Sequence, residues 1–518
     1  MNRSEMISEI EEKTLWDIII IGGGATGVGI AVDAASRGYK TLLLERLDFS
    51  HGTSSRSTKL VHGGVRYLQQ GNISLVLEAL KERGILRKNA PHLVHDLPFI
   101  VPNYDWWEGP FYGIGMKIYD MLAGKEGFGN SKILSKEETL KHIPTIEQEG
   151  LNGGVIYYDG QFDDARLVIN LAQTAAEQGA TLLNYMPVTA LIKNSGIVNG
   201  VIAVDNETGK EYQLEAKVVI NATGPFTDSV RKFDDENSSP MISPSQGVHM
   251  VLDKSFLPGD SAIMVPHTDD GRVLFAIPWH NKIIVGTTDT PIKECVDEPR
   301  PMEEEIDFLL KHTARYLTKD PTKNDVLSWF AGIRPLVSNP DAENTAAISR
   351  EHVVNISKSG LVTIAGGKWT TYRKMSEDTL EQAIIVGGLE ESPCVTKSLQ
   401  IQGYHNHTDS FGSLKCYGSD ALEIQDLIKA EKDLGEKLHA EMEITKAEVV
   451  WAVREEMVVN IEDFLSRRSR SLLLNARASL EMAPIVAAIM AKEMDKDSNW
   501  QQEQINKYTT LSKNYILE

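Results

Sequence analysis

The chain has 518 residues, of which 42% are hydrophobic and 24% are charged, and its formal net charge is −20. This length exceeds one ordinary domain and predicts two or three domains with ample core. The acidic balance argues against a nucleic-acid partner, because a phosphate backbone needs a basic face. It does not exclude a membrane, since a local patch can act against the overall sign.

Cysteine usage and apolar runs indicate the compartment. Cys295, Cys394 and Cys416 are scattered without metal-binding spacing, which predicts free thiols and neither disulfides nor zinc. The first 16 residues are polar and mixed in charge, unlike a secretory signal. The apolar run 484–491 is too short to span a bilayer. We therefore expect a protein of the cytoplasm or of the cytoplasmic face of a membrane.

The first predicted unit of the chain is a strand, a helix and a second strand. Residues 16–21 form an apolar run typical of a buried parallel strand, and residues 41–44 form the next. Between them, a glycine-rich turn opens a helix of small residues that ends before Gly38. This order is typical of the first half of a dinucleotide-binding domain.

Three glycines and one acid give this unit its chemistry. Gly22 permits the tight turn, Gly24 lets the backbone approach a pyrophosphate, and Gly27 allows close packing of the helix on the strand. Glu45 follows the second strand, where a carboxylate can bind both ribose hydroxyls. The sequence therefore predicts a site for the ADP half of a dinucleotide, and the acid argues against NADP.

The rest of the chain continues with mixed elements and ends in helices. We expect helices at 73–88 and 170–178, and strands at 181–184, 188–193, 200–206, 217–220, 272–278, 282–286 and 361–364. After residue 400, apolar residues at helical spacing predict long helices at 447–465 and 472–492. A linker is predicted at 406–413, so these helices would form a separate domain.

Glycine-marked strand ends recur twice more, at Thr223-Gly224 and at Gly366-Gly367-Lys368. The carboxyl ends of strands in a doubly wound sheet line the ligand crevice. One long cofactor such as FAD, contacted by three distant segments, would explain all three. Alternatively, the two later sites are ordinary turns.

Several blocks carry a family resemblance: STKLVHGGVRYL (57–68), INATGPFTD (220–228), GIRPL (332–336) and GGKWTTYR (366–373). With the opening glycines, they resemble the FAD-dependent glycerol-3-phosphate dehydrogenases, and the helical tail resembles that family's C-terminal domain. The resemblance implies an α/β fold in which a glutathione-reductase-type FAD-binding Rossmann domain is interleaved with an α+β substrate domain. An all-α C-terminal domain follows. We place the FAD-binding domain at 1–75, 165–240 and 345–398, the substrate domain at 76–164 and 241–344, and the helical domain at 399–518.

The resemblance also implies an activity. It is the oxidation of sn-glycerol 3-phosphate to dihydroxyacetone phosphate by hydride transfer to FAD, with electrons passed to a membrane quinone. A glycerol-3-phosphate oxidase that uses O₂ is the alternative; an amine or hydroxy-acid oxidase and a flavin-bearing sensor protein are more distant ones. Expected partners are glycerol 3-phosphate, the quinone, a membrane surface bound peripherally at the inner face of the cell membrane, and a second copy in a homodimer.

Cations are the predicted substrate ligands, because a guanidinium group donates two parallel hydrogen bonds to a phosphate. By resemblance, Arg334 and Lys368 hold the substrate phosphate and act in catalysis, with Arg66, Tyr67 and Thr287 close by. Histidine titrates near neutral pH and suits the proton acceptor. His249 is preferred to His62 in that role, since the family packs the chain near His62 against the flavin.

The predicted cofactor ligands come from all of these segments, and no metal is expected. They are Gly22, Gly24, Gly27, Glu45, Ser55, Thr58, Lys59, Leu60, His62, Val188, Thr223, Gly224, Gly366, Gly367, Lys368 and Thr370.

Two further segments are distinctive in composition. Residues 102–128 mix aromatic and apolar side chains with lysines, which suits a membrane interface; a substrate-domain core or a subunit-interface helix is the alternative. The basic run 466–470 is predicted to pair with nearby acids such as Glu455, Glu456, Glu462 and Asp463.

Overall fold

A computed structural model of the protein describes residues 1–64, 72–124, 127–265, 268, 272–338 and 351–517. The strands are β1 Trp16–Ile21, β2 Thr41–Leu44, β3 Leu60–Val61, β4 Val94–Asn103, β5 Lys132–Ser135, β6 Gly153–Phe162, β7 Thr181–Leu183, β8 Val188–Asn194, β9 Ile197–Val204, β10 Glu211–Asn221, β11 Ile242–Asp253, β12 Ala262–Val265, β13 Leu274–Trp279, β14 Lys282–Gly286, β15 Thr290–Pro291, β16 Val326–Val337, β17 His352–Ile356 and β18 Val362–Gly366.

The α-helices frame these strands and make up most of the C-terminal part. They are α1 Arg3–Glu12, α2 Ala25–Ser36, α3 Ile73–Asn89, α4 Glu108–Ala123, α5 Lys136–His142, α6 Asp164–Glu177, α7 Thr227–Asp234, α8 Glu303–Ala314, α9 Tyr372–Gly387, α10 Ala421–Ala430, α11 Lys446–Glu455, α12 Ser471–Leu474, α13 Ala476–Glu493 and α14 Ser498–Ser512.

The first sheet has the order β17-β18-β10-β1-β2-β7, with the β8–β9 hairpin attached to β10. The strands from β18 to β7 are parallel. The central strand β1 is almost entirely apolar because both faces of a parallel sheet are covered, and Ile18 to Ile20 are fully buried. Helices α2, α6 and α9 pack together on the sheet. Its parallel strands place their carboxyl ends on one edge, which is where the site forms.

The second sheet has the order β15-β11-β14-β13-β12-β4-β6-β3, with β16 paired to β11 and β5 paired to β6. All of its pairs are antiparallel except β12 with β4. Its strands lie at 60–162 and 242–337, between segments that build the first sheet. The predicted interleaved α/β fold is thus confirmed. The exact domain limits stay predictions, and the chain enters the second sheet at Leu60.

The C-terminal part is helical, as predicted, but its two long helices are wrong in extent. Helix α11 ends at Glu455, Met457 has a positive φ of 52°, and residues 463–468 form a separate short π-helix. The second predicted helix is divided at Asn475, whose side chain caps α13. Helical spacing continues through both breaks. At the first, Glu456 pairs with Arg166; at the second, the Asn475 side chain accepts from the Ala478 N–H and begins a new helix. Among the described residues, no helix is both long and apolar enough to cross a bilayer.

Candidate active site

The carboxyl ends of β1, β10 and β18 meet at one edge of the first sheet. Gly22 follows β1 with a φ of 113°, and a Cβ there would lie 2.6 Å from the carbonyl oxygen of Ala222 after β10. A Cβ on Gly27 would overlap the carbonyl oxygen of Gly22. Both glycines are therefore required by close backbone approach. The result is a helix N-terminus, at α2, that opens onto the crevice and favours an anion there.

This crevice is a cavity of about 420 Å³. Of the predicted cofactor residues, those that line it are Gly22, Gly24, Glu45, Val188, Thr223, Gly224, Gly366, Gly367 and Lys368. The structure thus brings the three glycine-marked strand ends together around one space. A cavity against a helix N-terminus at the carboxyl ends of parallel strands is where a dinucleotide binds.

Glu45 and Ser54 complete the crevice at the start of α2. The Glu45 carboxylate accepts hydrogen bonds from the backbone N–H groups of Gly23 (2.6 Å) and Leu47 (2.8 Å). The hydroxyl of Ser54, which sequence reasoning missed, accepts from the Ala25 N–H at 2.9 Å. The Gly23 bond fixes the Glu45 carboxylate at the start of the glycine turn, and the Ala25 bond fixes the N-terminus of α2 at its end. The residues present therefore fit the ribose and pyrophosphate of FAD.

A second cavity, of about 350 Å³, lies beside the first. Its lining includes the predicted residues Thr58, Leu60, His62, His249, Thr287, Arg334, Gly367, Lys368 and Thr370. Arg56, Lys368 and Trp369 line both cavities, so the two spaces meet there. The second sheet supplies His249 from β11 and Arg334 from β16, whose backbones pair side by side. A substrate in this cavity would lie next to a cofactor in the crevice.

Arg334 is held firmly in the wall of the second cavity. One guanidinium nitrogen donates to the Asp289 carboxylate (3.1 Å) and the other to the Thr287 hydroxyl (3.0 Å). Asp289 also accepts a hydrogen bond from Ser245. These bonds orient a cation, beside a hydroxyl donor, toward a cavity large enough for a small phosphate ester.

His249 lies in the same wall. Its Nε2 is 2.9 Å from the Thr58 hydroxyl, and its ring stacks on Phe330 with centroids 4.7 Å apart. Burial, together with the charges of Arg334 and Lys59, holds the pKa of His249 well below its usual value. The imidazole is therefore neutral at neutral pH. Its Nδ1 has no hydrogen-bond partner within the part of the chain that the structure describes.

Ser55 and Lys59 were predicted to contact the cofactor, but the structure places neither side chain at either cavity. The Lys59 ammonium is fully buried, 2.8 Å from the Asp164 carboxylate, and it donates to the Ser55 carbonyl at 2.6 Å. Burial lowers the pKa of Lys59 and raises that of Asp164. Because an ammonium group in a dry interior needs a carboxylate, Lys59 turns away from the crevice and braces the loop that presents Thr58.

Some expectations lie beyond the described residues, and some site residues were not predicted. Arg66 and Tyr67 fall in 65–71, outside the described ranges. Asp289 and Asp159 both line the second cavity but were missed. Asp289 lies two residues after Thr287, and that proximity was the one signal that could have indicated it. Asp159 has no such signal, because a single acid after apolar residues is common.

Comparison with known proteins defines the class first. The family model of FAD-dependent oxidoreductases matches residues 17–373, and the model of the C-terminal domain of alpha-glycerophosphate oxidase matches residues 379–504. The protein is therefore an FAD-dependent oxidoreductase, and FAD is its cofactor.

Individual relatives narrow the class to a family. The human protein named "Glycerol-3-phosphate dehydrogenase, mitochondrial" is 42% identical over 539 aligned positions, which span 97% of this chain and 74% of the human one. The crystal structure of glycerol-3-phosphate dehydrogenase from Bacillus halodurans, complexed with FAD, is 31% identical. It matches with a TM-score of 0.81 over 99% of this chain and 98% of that one. The chain belongs to the family of FAD-dependent glycerol-3-phosphate dehydrogenases.

A more distant structure shares the fold alone. Dithionite-reduced L-alpha-glycerophosphate oxidase from Mycoplasma pneumoniae, with FAD bound, matches with a TM-score of 0.57 at 16% identity, over 75% of this chain and 99% of that one.

Proposed function

We propose that the protein oxidises sn-glycerol 3-phosphate to dihydroxyacetone phosphate and passes the electrons to a membrane quinone. The observation that carries this proposal is the cavity lined by His249, Thr287 and Arg334, which joins the FAD crevice at Lys368. It offers a cation pair for a phosphate dianion and a neutral imidazole for a hydroxyl proton. The human and Bacillus relatives, named glycerol-3-phosphate dehydrogenases, support the same substrate.

Arg334 and Lys368 bind and orient the substrate. Their charges complement a phosphate dianion, and the Thr287 hydroxyl lies 3.0 Å from the Arg334 guanidinium, where both can face one phosphate group. Asp289 keeps the guanidinium from rotating, so binding energy goes into fixing the substrate rather than into ordering the arginine. The phosphate at one end then directs the C2 hydroxyl of the substrate toward the remaining wall.

His249 accepts the hydroxyl proton. FAD, when bound, supplies the two-electron chemistry by accepting the hydride from C2 of the substrate. The neutral His249 ring can take the proton that must leave the C2 hydroxyl, so that the alcohol becomes a ketone. Phosphate binding would neutralise part of the Arg334 charge that disfavours a protonated His249 ring, and so would raise its proton affinity when substrate is present.

The membrane surface is the proposed source of the quinone, and helix α4 is the proposed contact. Its outer side exposes large apolar side chains: Phe111 (52%), Ile114 (65%), Ile118 (44%) and Met121 (80%). Trp106, just before the helix, is 83% exposed. Apolar and aromatic residues with the exposed Lys117 suit a helix lying in the headgroup region. The opposite face, including Tyr112, Met116 and Tyr119, packs in the protein core. The alternative interpretation, a core helix, therefore applies to that face.

A vesicle experiment tests the membrane contact. We expect the wild-type protein to float with phosphatidylglycerol-containing liposomes, and a variant with Phe111, Ile114 and Met121 changed to Ser to stay at the bottom of the gradient. Ile197 on β9 and Val353 on β17 are exposed apolar residues outside α4. A control variant with both changed to Ser should float like the wild type. Flotation of the helix variant at the wild-type level would remove α4 from the proposal and favour its role in a homodimer.

An anaerobic experiment tests the reaction itself. Glycerol 3-phosphate added to the purified holoenzyme should bleach the flavin absorbance, and a soluble quinone should restore it quickly while air restores it slowly. Rapid restoration by air would support the oxidase instead. Failure of glycerol 3-phosphate to bleach the flavin would contradict the substrate. The exposed apolar side of α4 would also hold the protein at a membrane surface. We therefore further propose that the protein works at the cytoplasmic face of the cell membrane.

A further inference from the structure

The buried face of α4 reaches the wall of the substrate cavity through one hydroxyl group. Tyr119 is 1% exposed, and its hydroxyl donates to the Asp159 carboxylate at 2.7 Å. The same oxygen accepts a hydrogen bond from the backbone N–H of Gly63 at 2.8 Å. Burial and the neighbouring Asp159 raise the pKa of Tyr119 well above its usual value, so the hydroxyl keeps the proton that it donates.

Asp159 is itself fixed by a second buried group. Its other carboxylate oxygen accepts from an Arg83 guanidinium nitrogen at 2.6 Å, and Arg83 is 0% exposed. The Arg83 guanidinium in turn lies over the Phe128 ring, 4.1 Å from its centroid. Asp159 also lines the substrate cavity. The Tyr119 hydroxyl is therefore anchored to a carboxylate that is held in place by an ion pair rather than by solvent.

The segment 62–64 is held from two sides. The His62 N–H donates to the Thr370 hydroxyl at 3.2 Å, from the side of the FAD-binding sheet. The next N–H, on Gly63, donates to the Tyr119 hydroxyl of α4 at 2.8 Å. A Cβ on Gly63 would collide with the Tyr119 hydroxyl of α4 and with Leu80 of α3, so the segment packs closely against both helices. His62, Gly64 and Thr370 all line the substrate cavity.

We propose that Tyr119 is a positioning residue: its hydroxyl fixes the segment 62–64 as a wall of the substrate cavity. This role rests on the proposed reaction only for its kinetic consequence. Removing the hydroxyl leaves a buried N–H and a buried carboxylate oxygen each short of one partner, and the segment then moves to recover hydrogen bonds. Small displacements at a reacting centre lower the rate by up to about 100-fold.

The test compares two tyrosines of the same helix. Tyr119→Phe removes one oxygen and keeps the ring volume, so the fold should be retained. Tyr112→Phe is the matched control, because Tyr112 is also buried (2% exposed) and its hydroxyl has no hydrogen-bond partner among the residues with described positions. In the first measurement, each holoenzyme is mixed anaerobically with saturating glycerol 3-phosphate and the rate of flavin reduction is recorded. In the second, hydrogen exchange of the peptide that contains Gly63 is followed by mass spectrometry.

We expect Tyr119→Phe to slow flavin reduction about 10- to 100-fold with unchanged FAD content, and to speed exchange at Gly63. Tyr112→Phe should change neither by more than about twofold. Unchanged exchange at Gly63 in Tyr119→Phe would overturn the proposal, as would equal slowing in both variants. If glycerol 3-phosphate does not bleach even the wild-type flavin, the proposed substrate fails, whereas the exchange comparison still decides the role of Tyr119.

Discussion

The ligand crevice and the junction of the C-terminal helices with the first sheet both bury charged side chains, but they use them differently. We call the second region the seam; its charged members are Asp48, Asp163, Arg166, Glu456, Arg467, Arg468 and Arg470. In the seam, Arg166 pairs with Glu456, and Arg470 lies 2.9 Å from Asp163. Arg467 and Arg468 both reach Asp48. These cations are matched by carboxylates of the protein itself.

In the crevice, the cations also line open space. Arg334 has a carboxylate partner, Asp289, yet it also faces a cavity of about 350 Å³. Lys368 lines that cavity and the FAD crevice together. Burial of a charge is therefore not enough to indicate a site. A buried cation whose surroundings are closed by protein groups holds domains together, whereas one beside an enclosed space is available to a ligand.

The largest expected effect comes from breaking the seam. Arg166→Met leaves the fully buried Glu456 carboxylate without the guanidinium that pairs with it. We expect the free energy of unfolding in a urea titration to fall by about 3–5 kcal/mol. The double variant Arg166→Met/Glu456→Gln should recover most of this loss, because no uncompensated charge remains.

Arg87→Met is the control for that experiment. Arg87 pairs with Asp96 at 2.9 Å, but its side chain is 43% exposed. An exposed pair contributes at most about 1 kcal/mol, so the control should unfold close to the wild type. Equal changes in the Arg166 and Arg87 variants would contradict the view that the seam is a closed, structural cluster.

The next largest effect is expected from removing a cation that lines the substrate cavity. Arg334→Met should lower kcat/KM for glycerol 3-phosphate about 10²–10³-fold, since a charge-assisted contact to the substrate is lost. Flavin absorbance should stay near its wild-type value, and the melting temperature should fall by less than in Arg166→Met, because Asp289 keeps its hydrogen bond from Ser245. Arg454→Met, at an exposed pair with Glu493, should leave kcat/KM unchanged. A normal kcat/KM with a lowered melting temperature would show that Arg334 stabilises the fold and does not bind the substrate.

The same contrast explains what the sequence could predict. Strands β1 and β2 were placed correctly because apolar runs and the glycine turn are local signals. The basic run 466–470 was predicted to pair with acids nearby, and its pairs with Glu462 and Asp463 are present. Its pairs with Asp48 and Asp163 were not foreseen, because those partners lie more than 300 residues away. Helix α11 ends next to Glu456, which pairs with Arg166, 290 residues away, so its length was overestimated for the same reason.

The candidate site shows the same division. Gly366 to Lys368 and Arg334 lie in selective family blocks, and the structure brings them to the cavities. Lys59 lies in an equally selective block, but its ammonium pairs with Asp164 instead. A motif shows that residues are needed together, whereas only the fold shows which of them face a ligand and which support the loop.

The smallest expected effect is the pH dependence of flavin reduction, which tests the protonation state of one residue of the cavity, His249. His249 accepts a proton only when it is neutral, and it becomes charged as the pH falls through its folded pKa. Burial and Arg334 place that pKa well below 6.5. Bound phosphate offsets only part of the Arg334 charge and burial still disfavours the protonated ring, so any decline in the rate of flavin reduction at saturating substrate should be centred below pH 6.5.

Saturating substrate is essential in this experiment, because a phosphate ester also gains a proton near pH 6 and would bind less tightly. The signal belongs to His249 only if His249→Gln slows flavin reduction at every pH and removes the decline at low pH. A decline centred near 6.5 in the wild type would mean that the proton acceptor is a solvated histidine. The buried wall of the cavity would then bind substrate without taking its proton, and the acceptor would have to lie at the cavity mouth.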